Sequence, residues 1–99
     1  MISRQWRCLA RPDRAEEYIT HLRTETIPAL RNIRGFIDAS ISSRSLEPGV
    51  EFLVVTRWES LEAITAFAGT DAEAAVVPAH AAAMMIEYDR RARHFEVVQ

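Results

Sequence analysis

Lysine does not occur in this sequence; every one of its 12 basic residues is arginine. Schiff-base catalysis, pyridoxal-phosphate anchoring and phosphate-loop chemistry each need a lysine and are excluded. Cys8 is the only cysteine, so neither an intrachain disulfide nor a cysteine-based zinc site can form. Three glycines are too few for a nucleotide-binding loop plus the turns of a small domain, and no G-x-S-x-G elbow is present. No stretch approaches the roughly 20 apolar residues of a membrane span, and no basic segment with a long apolar run opens the chain. A net charge of −2 gives no general attraction to nucleic acid or to an anionic membrane. The one basic cluster, Arg90, Arg91 and Arg93, is too small to alter that and reads as a solvated edge. A lone thiol is at home in a reducing cytoplasm, and the heavy use of alanine and arginine suggests a GC-rich bacterial source.

What is present fits one domain, residues 1–99, with a core so small that self-association is the expected reinforcement. Ile2 to Leu9 reads as a strand with Ile2, Trp6 and Cys8 on one face. Pro12 breaks the chain, and Asp13 with Glu16 predicts a capping box for a helix whose stripe is Ala15, Tyr18, Ile19, Leu22, Thr26 and Leu30. Pro28 should kink or loosen that helix near its end. Ile37, Ala39 and Ile41 alternate with polar residues in a second strand, Glu47-Pro48-Gly49 makes a turn, and Val50 to Trp58 is a third strand, completing a hairpin. Ser60 caps a second helix carrying Leu61, Ile64, Phe67 and Ala68, which Gly69 ends. Further helical pieces are expected after Asp71 and from Ala81 to Met85, and a closing strand near Ala92 to Val98. This order predicts an α+β fold, a ferredoxin-like βαββαβ unit with an antiparallel sheet and both helices on one face. On the third strand Phe52, Val54 and Trp58 point one way, and Leu53 and Val55 the other. Two apolar faces predict a homodimer that covers the second side of the sheet.

The run Phe52-Leu53-Val54-Val55-Thr56-Arg57-Trp58-Glu59-Ser60-Leu61-Glu62-Ala63-Ile64 resembles the strand-into-helix signature of the antibiotic-biosynthesis-monooxygenase-like family of dimeric α/β barrels. Trp6-Arg7, Gly35-Phe36, Phe67-Ala68-Gly69 and the ending from Ala75 to Val97 resemble it too. The resemblance implies homodimers whose sheets pack together, with a pocket between sheet and helices in each subunit. Some relatives oxidise aromatic polyketides or quinols with molecular oxygen and no cofactor; others bind or degrade haem, or act as non-catalytic binding or stress proteins. The haem degraders' pattern has an Asn on the first strand and a Trp on the second helix. Here Ile2 to Leu9 holds no Asn and Phe67 stands at the Trp position. The leading expectation is therefore a cofactor-independent monooxygenase acting on a small aromatic molecule, without cofactor or metal.

Such chemistry needs a base, a donor for the phenolate oxygen and apolar walls. His80 is the first candidate base, because imidazole titrates near neutrality; an exposed histidine on an alanine-rich helix remains open. Arg57 is the candidate oxyanion donor. Trp6, His21, Trp58, Phe67, Met84 and Tyr88 are candidate substrate contacts, each with core packing open to it as well. His94 alternates with Phe95 as a strand-surface residue would. The three histidines read as scattered, with no His-x-x-x-His and no carboxylate partner at ligand spacing, so a metal site is not expected.

Overall fold

The computed structural model describes residues 1–99. Strand β1 (Ile2–Ala10) turns Arg4, Trp6, Cys8 and Ala10 toward the helices, because alternate side chains of a strand share a face. A 3-10 turn, Pro12–Arg14, leads into α1 (Ala15–His21). Asp13 lies within that turn and makes no capping hydrogen bond, so the expected capping box does not form. The helical run continues as a π-helical stretch, Leu22–Thr26, and ends as α2 (Ile27–Arg31). Proline lacks an N–H and clashes with the carbonyl four residues back. The widened turns ahead of Pro28 are where a helix relieves that conflict.

β2 (Phe36–Ser45) and β3 (Val50–Trp58) form the hairpin read from the sequence, with Ile41 opposite Val54 and Ala39 opposite Thr56. A bulge between Phe36 and Asp38 takes Ile37 out of the alternation, so it does not join the buried face and is exposed. Two glycines are dictated by close approach. A Cβ on Gly35, whose φ is +94°, would stand 2.6 Å from the Ala63 Cβ, and one on Gly49 would collide with the Ala10 carbonyl oxygen. α3 (Leu61–Ala68) starts where the Ser60 hydroxyl accepts from the Ala63 N–H at 3.2 Å and stops at Gly69, φ +88°.

The last third departs from expectation. Residues 71–77 carry no helix; they hold only a bridge between Ala74 and Arg91. α4 is a single turn (Ala79–Ala82), and Met85 begins a strand, β4 (Met85–Tyr88), instead of ending a helix. β4 pairs with the Cys8–Ala10 end of β1, and β5 (Arg93–Glu96) pairs with the Ile2–Gln5 end. The ferredoxin-like order β2-β3-β1-β4 results, with the edge position shared by two short strands and the sheet not closed. No helix is long and apolar enough to cross a membrane.

The core is two clusters on the helix side of the sheet. One joins Cys8, Tyr18, Leu22, Phe52 and Met84; the other joins Ile2, Leu30, Trp58 and Ile64, with Phe36 and Phe67 against it. Trp58 is 0 % exposed, edge-on to Phe36 at 5.3 Å, and its indole N–H donates to the Thr56 hydroxyl at 2.8 Å. Burial at this position contributes on the scale of about 3–5 kcal/mol, the usual loss when a core aromatic becomes alanine. The opposite face is mixed. Leu53 and Phe95 are exposed there beside the pairs Arg57–Asp38 and Arg7–Glu51–Arg44.

Candidate functional site

A cavity opens between the two clusters, bounded by the sheet, the helical run and residues 76–78. Its sheet wall is Arg4, Trp6, Val54 and Thr56; its helix wall is Tyr18, His21, Leu22, Thr26, Leu30 and Phe67. Val76, Val77, Pro78, Ala81 and Met85 close the remaining side. The cavity volume is about 60 Å³, small beside the roughly 300–1,000 Å³ usual for small-molecule sites. Most of the lining is apolar, so a ring system would be held by burial and the few polar groups would orient it.

Two of those polar groups, His21 and Thr26, meet at one corner, with Glu25 and His80 beside them. His21 is buried, stacked on the Tyr18 ring at 6.1 Å and edge-on to the His80 ring at 4.8 Å. Its Nδ1 lies 3.2 Å from a Glu25 carboxylate oxygen and 3.2 Å from His80 Nε2, and its Nε2 lies 3.2 Å from the Thr26 hydroxyl. His80 Nε2 is also 3.7 Å from Glu25. The π-helical stretch makes part of this possible. Residues five apart are roughly 140° apart around an α-helix, whereas π-helical spacing brings i and i+5 together, as it does His21 and Thr26. The histidines are thus not scattered, and a carboxylate does stand at ligand spacing, four residues beyond His21. The donor atoms of His21, Glu25 and His80 all lie within 4.8 Å of one another, so this trio could hold a divalent cation or share a proton.

The second polar feature is Arg4, which is 5 % exposed. Its guanidinium donates to the carbonyls of Ala72 and Ala74 (2.9 Å to the latter) and to His94 Nε2 at 2.8 Å, and lies 5.7 Å from the centre of the Phe67 ring. Burial lowers its pKa, partly opposed by Glu73, and burial with the Arg4 charge also lowers that of His94. Tyr18 keeps its proton because burial pushes the phenol up; Cys8, buried beside it, is pushed up to about 11 and is no nucleophile.

Of the sequence candidates, Trp6, His21 and Phe67 line the cavity. His80, 56 % exposed, stands behind His21 instead of on the wall. Arg57 is not brought there: its parity on β3 puts it on the far face, where it pairs with Asp38. Trp58 and Met84 are core, and Tyr88 packs on Trp6, whose indole N–H donates to the Asp89 carbonyl at 2.6 Å. Arg4, Tyr18 and Thr26 were not singled out as site residues in the sequence. Arg4 shares strand parity with Trp6 and Cys8, and that was the available signal.

A solved structure of a candidate antibiotic biosynthesis monooxygenase from Bacillus cereus superposes with a TM-score of 0.67 at 21% identity, over 99% of this chain and 93% of that one. The haem-degrader MhuD from Mycobacterium tuberculosis, solved with two haems in its active site, gives 0.62 at 22% identity, over 100% and 97%. No curated protein matches at a significant level. The family profile described as antibiotic biosynthesis monooxygenase matches residues 1–84, and with strand order and cavity in agreement, this chain belongs to that family.

Proposed function

We propose that the protein is a cofactor-independent monooxygenase of small aromatic molecules, working as a cytoplasmic homodimer. The observation that carries this reading is an apolar cavity whose wall holds a histidine hydrogen-bonded, through Glu25 and His80, to the solvent side. In an anthrone or naphthol the acidic proton passes to His21, directly or through the Thr26 hydroxyl. The resulting anion gives one electron to molecular oxygen, the two radicals combine at carbon, and the peroxide loses water to leave a ketone. One oxygen atom enters the ring and the other leaves as water, the substrate supplying all the electrons. His80 positions His21 and passes the proton on. Arginine cannot serve as the base, lysine is absent and Cys8 keeps its proton.

The test is oxygen uptake with anthrone- or naphthol-type substrates. His21→Gln should lower the rate by about a hundredfold, the usual scale of a general base. His80→Ala should lower kcat while leaving KM near its original value, since His80 does not line the cavity. Dialysis against a chelator should change nothing; lost activity would reassign the trio to a metal. No uptake with any such substrate would favour a binding protein. Haem, the ligand of one structural relative, is less well suited, because His80 Nε2 faces His21 and Glu25 and those contacts would have to break for axial ligation. A Soret band on haem titration, with haem lost under a reductant, would overturn that judgement.

A further inference from the structure

A guanidinium taken out of water is costly unless a counter-charge accompanies it. Arg4 has none in contact. Its three hydrogen-bond partners, two backbone carbonyls and the His94 imidazole, are all neutral acceptors. The nearest carboxylate influence, Glu73, is itself paired with Arg91 at 3.3 Å. A guanidinium has five N–H groups, and these contacts use three of them. The Nε–H and one Nη2–H have no acceptor in the protein, no buried side-chain nitrogen is sealed away unsatisfied, and Arg4 lines the cavity. Its neighbours there, Trp6 and Phe67, are flat aromatic surfaces.

We infer that Arg4 is the anion-binding group of the cavity and that the natural ligand is an aromatic compound of the proposed class that also carries a ring carboxylate, its ring against Trp6 and Phe67 and its carboxylate on the guanidinium. A carboxylate enters already ionised, with an ordinary pKa near 4, whereas a phenol near 10 enters neutral and leaves the buried cation uncompensated until after deprotonation. Charge-assisted hydrogen bonds to guanidinium are also about twice as strong as neutral ones. The inference rests on the cavity being the ligand site of the proposed enzyme, but not on its oxygen chemistry.

The test compares 2-naphthoate with 2-naphthamide, equal in shape and different in charge, by calorimetric titration of the intact protein. The carboxylate should bind at least about tenfold more tightly to the wild type, and its addition should shift the Arg4 Nε–H resonance in a nitrogen-15 spectrum. In Arg4→Gln the preference for the carboxylate over the amide should vanish. Equal affinities in the wild type, no binding of either compound, or a preference that survives Arg4→Gln would overturn the inference. Should Arg4→Gln fail to fold, the wild-type comparison and the resonance shift still decide. Neither measurement requires turnover, so a protein that prefers 2-naphthoate and takes up no oxygen would retain the anion site and lose the monooxygenase reading.

Discussion

His94 accepts from the Arg4 guanidinium across the β1–β5 ladder, so its Nε2 must stay unprotonated for the contact to hold. Burial first, and the Arg4 charge second, lower its pKa below the ordinary 6.5, with Glu73 opposing weakly. The unfolded chain therefore binds this proton more readily than the folded one. The contribution to stability is complete above about pH 6.5 and is lost as pH falls through the lower folded value. Carboxylates held down by arginine, such as Asp38 by Arg57 and Asp71 by Arg91, lose theirs only at more acid pH, as each is protonated. Urea midpoints should thus decline as pH drops from 7.5 to 5.5. His94→Gln, which keeps an acceptor but cannot titrate, should flatten that decline. An unchanged slope in the variant would show that His94 does not drive it.

At the scale of elements, the π-helical stretch Leu22–Thr26 decides what the first helical run can do. A regular α-helix would have carried Thr26 away from His21; the widened turns seat its hydroxyl on His21 Nε2. Removing that hydroxyl leaves a buried ring nitrogen unpaired, at about 1–3 kcal/mol. Thr26→Val should lose stability on that scale in denaturant unfolding while Thr26→Ser stays close to the wild type. A Val variant as stable as its parent would mean the pair contributes nothing. The segment after α3 is organised differently, by cations instead of hydrophobic periodicity. Arg4 holds the carbonyls of Ala72 and Ala74, and Arg91 grips Asp71 at 2.9 and 3.0 Å, which sets Val76, Val77 and Pro78 against the cavity.

For the whole molecule, the open face of the sheet bears on assembly. Leu53 is 41 % exposed and Phe95 48 %, on a face that otherwise carries ion pairs. We propose that a second copy covers it, because a domain of this size gains most from burying a shared sheet face. Light scattering should give a dimer at micromolar concentration, and Leu53→Asp, which adds a charge near Glu51, should shift it to monomer. A wild-type monomer would refute the assembly; a dimeric Leu53→Asp would move the interface elsewhere.

The sequence by itself determined the strand β1, the β2–β3 hairpin, the helix between Ser60 and Gly69, the ferredoxin-like order and the family. The strands and the helix rest on short-range rules (alternation, a capping hydroxyl, a glycine stop), and the family rests on the resemblance of whole segments. Only the tertiary structure decided the site. Alternation placed Arg4 on the same face as Trp6, but an arginine is ordinarily taken as exposed, and its burial follows from carbonyls some seventy positions away. The meeting of His21 with Thr26 needs the π-helical widening and that of His21 and Glu25 with His80 needs the docking of α4, and neither leaves a periodic trace. Met85–Tyr88 is short and apolar enough to suit helix or strand, and the unfilled edge of β1 is what made it a strand.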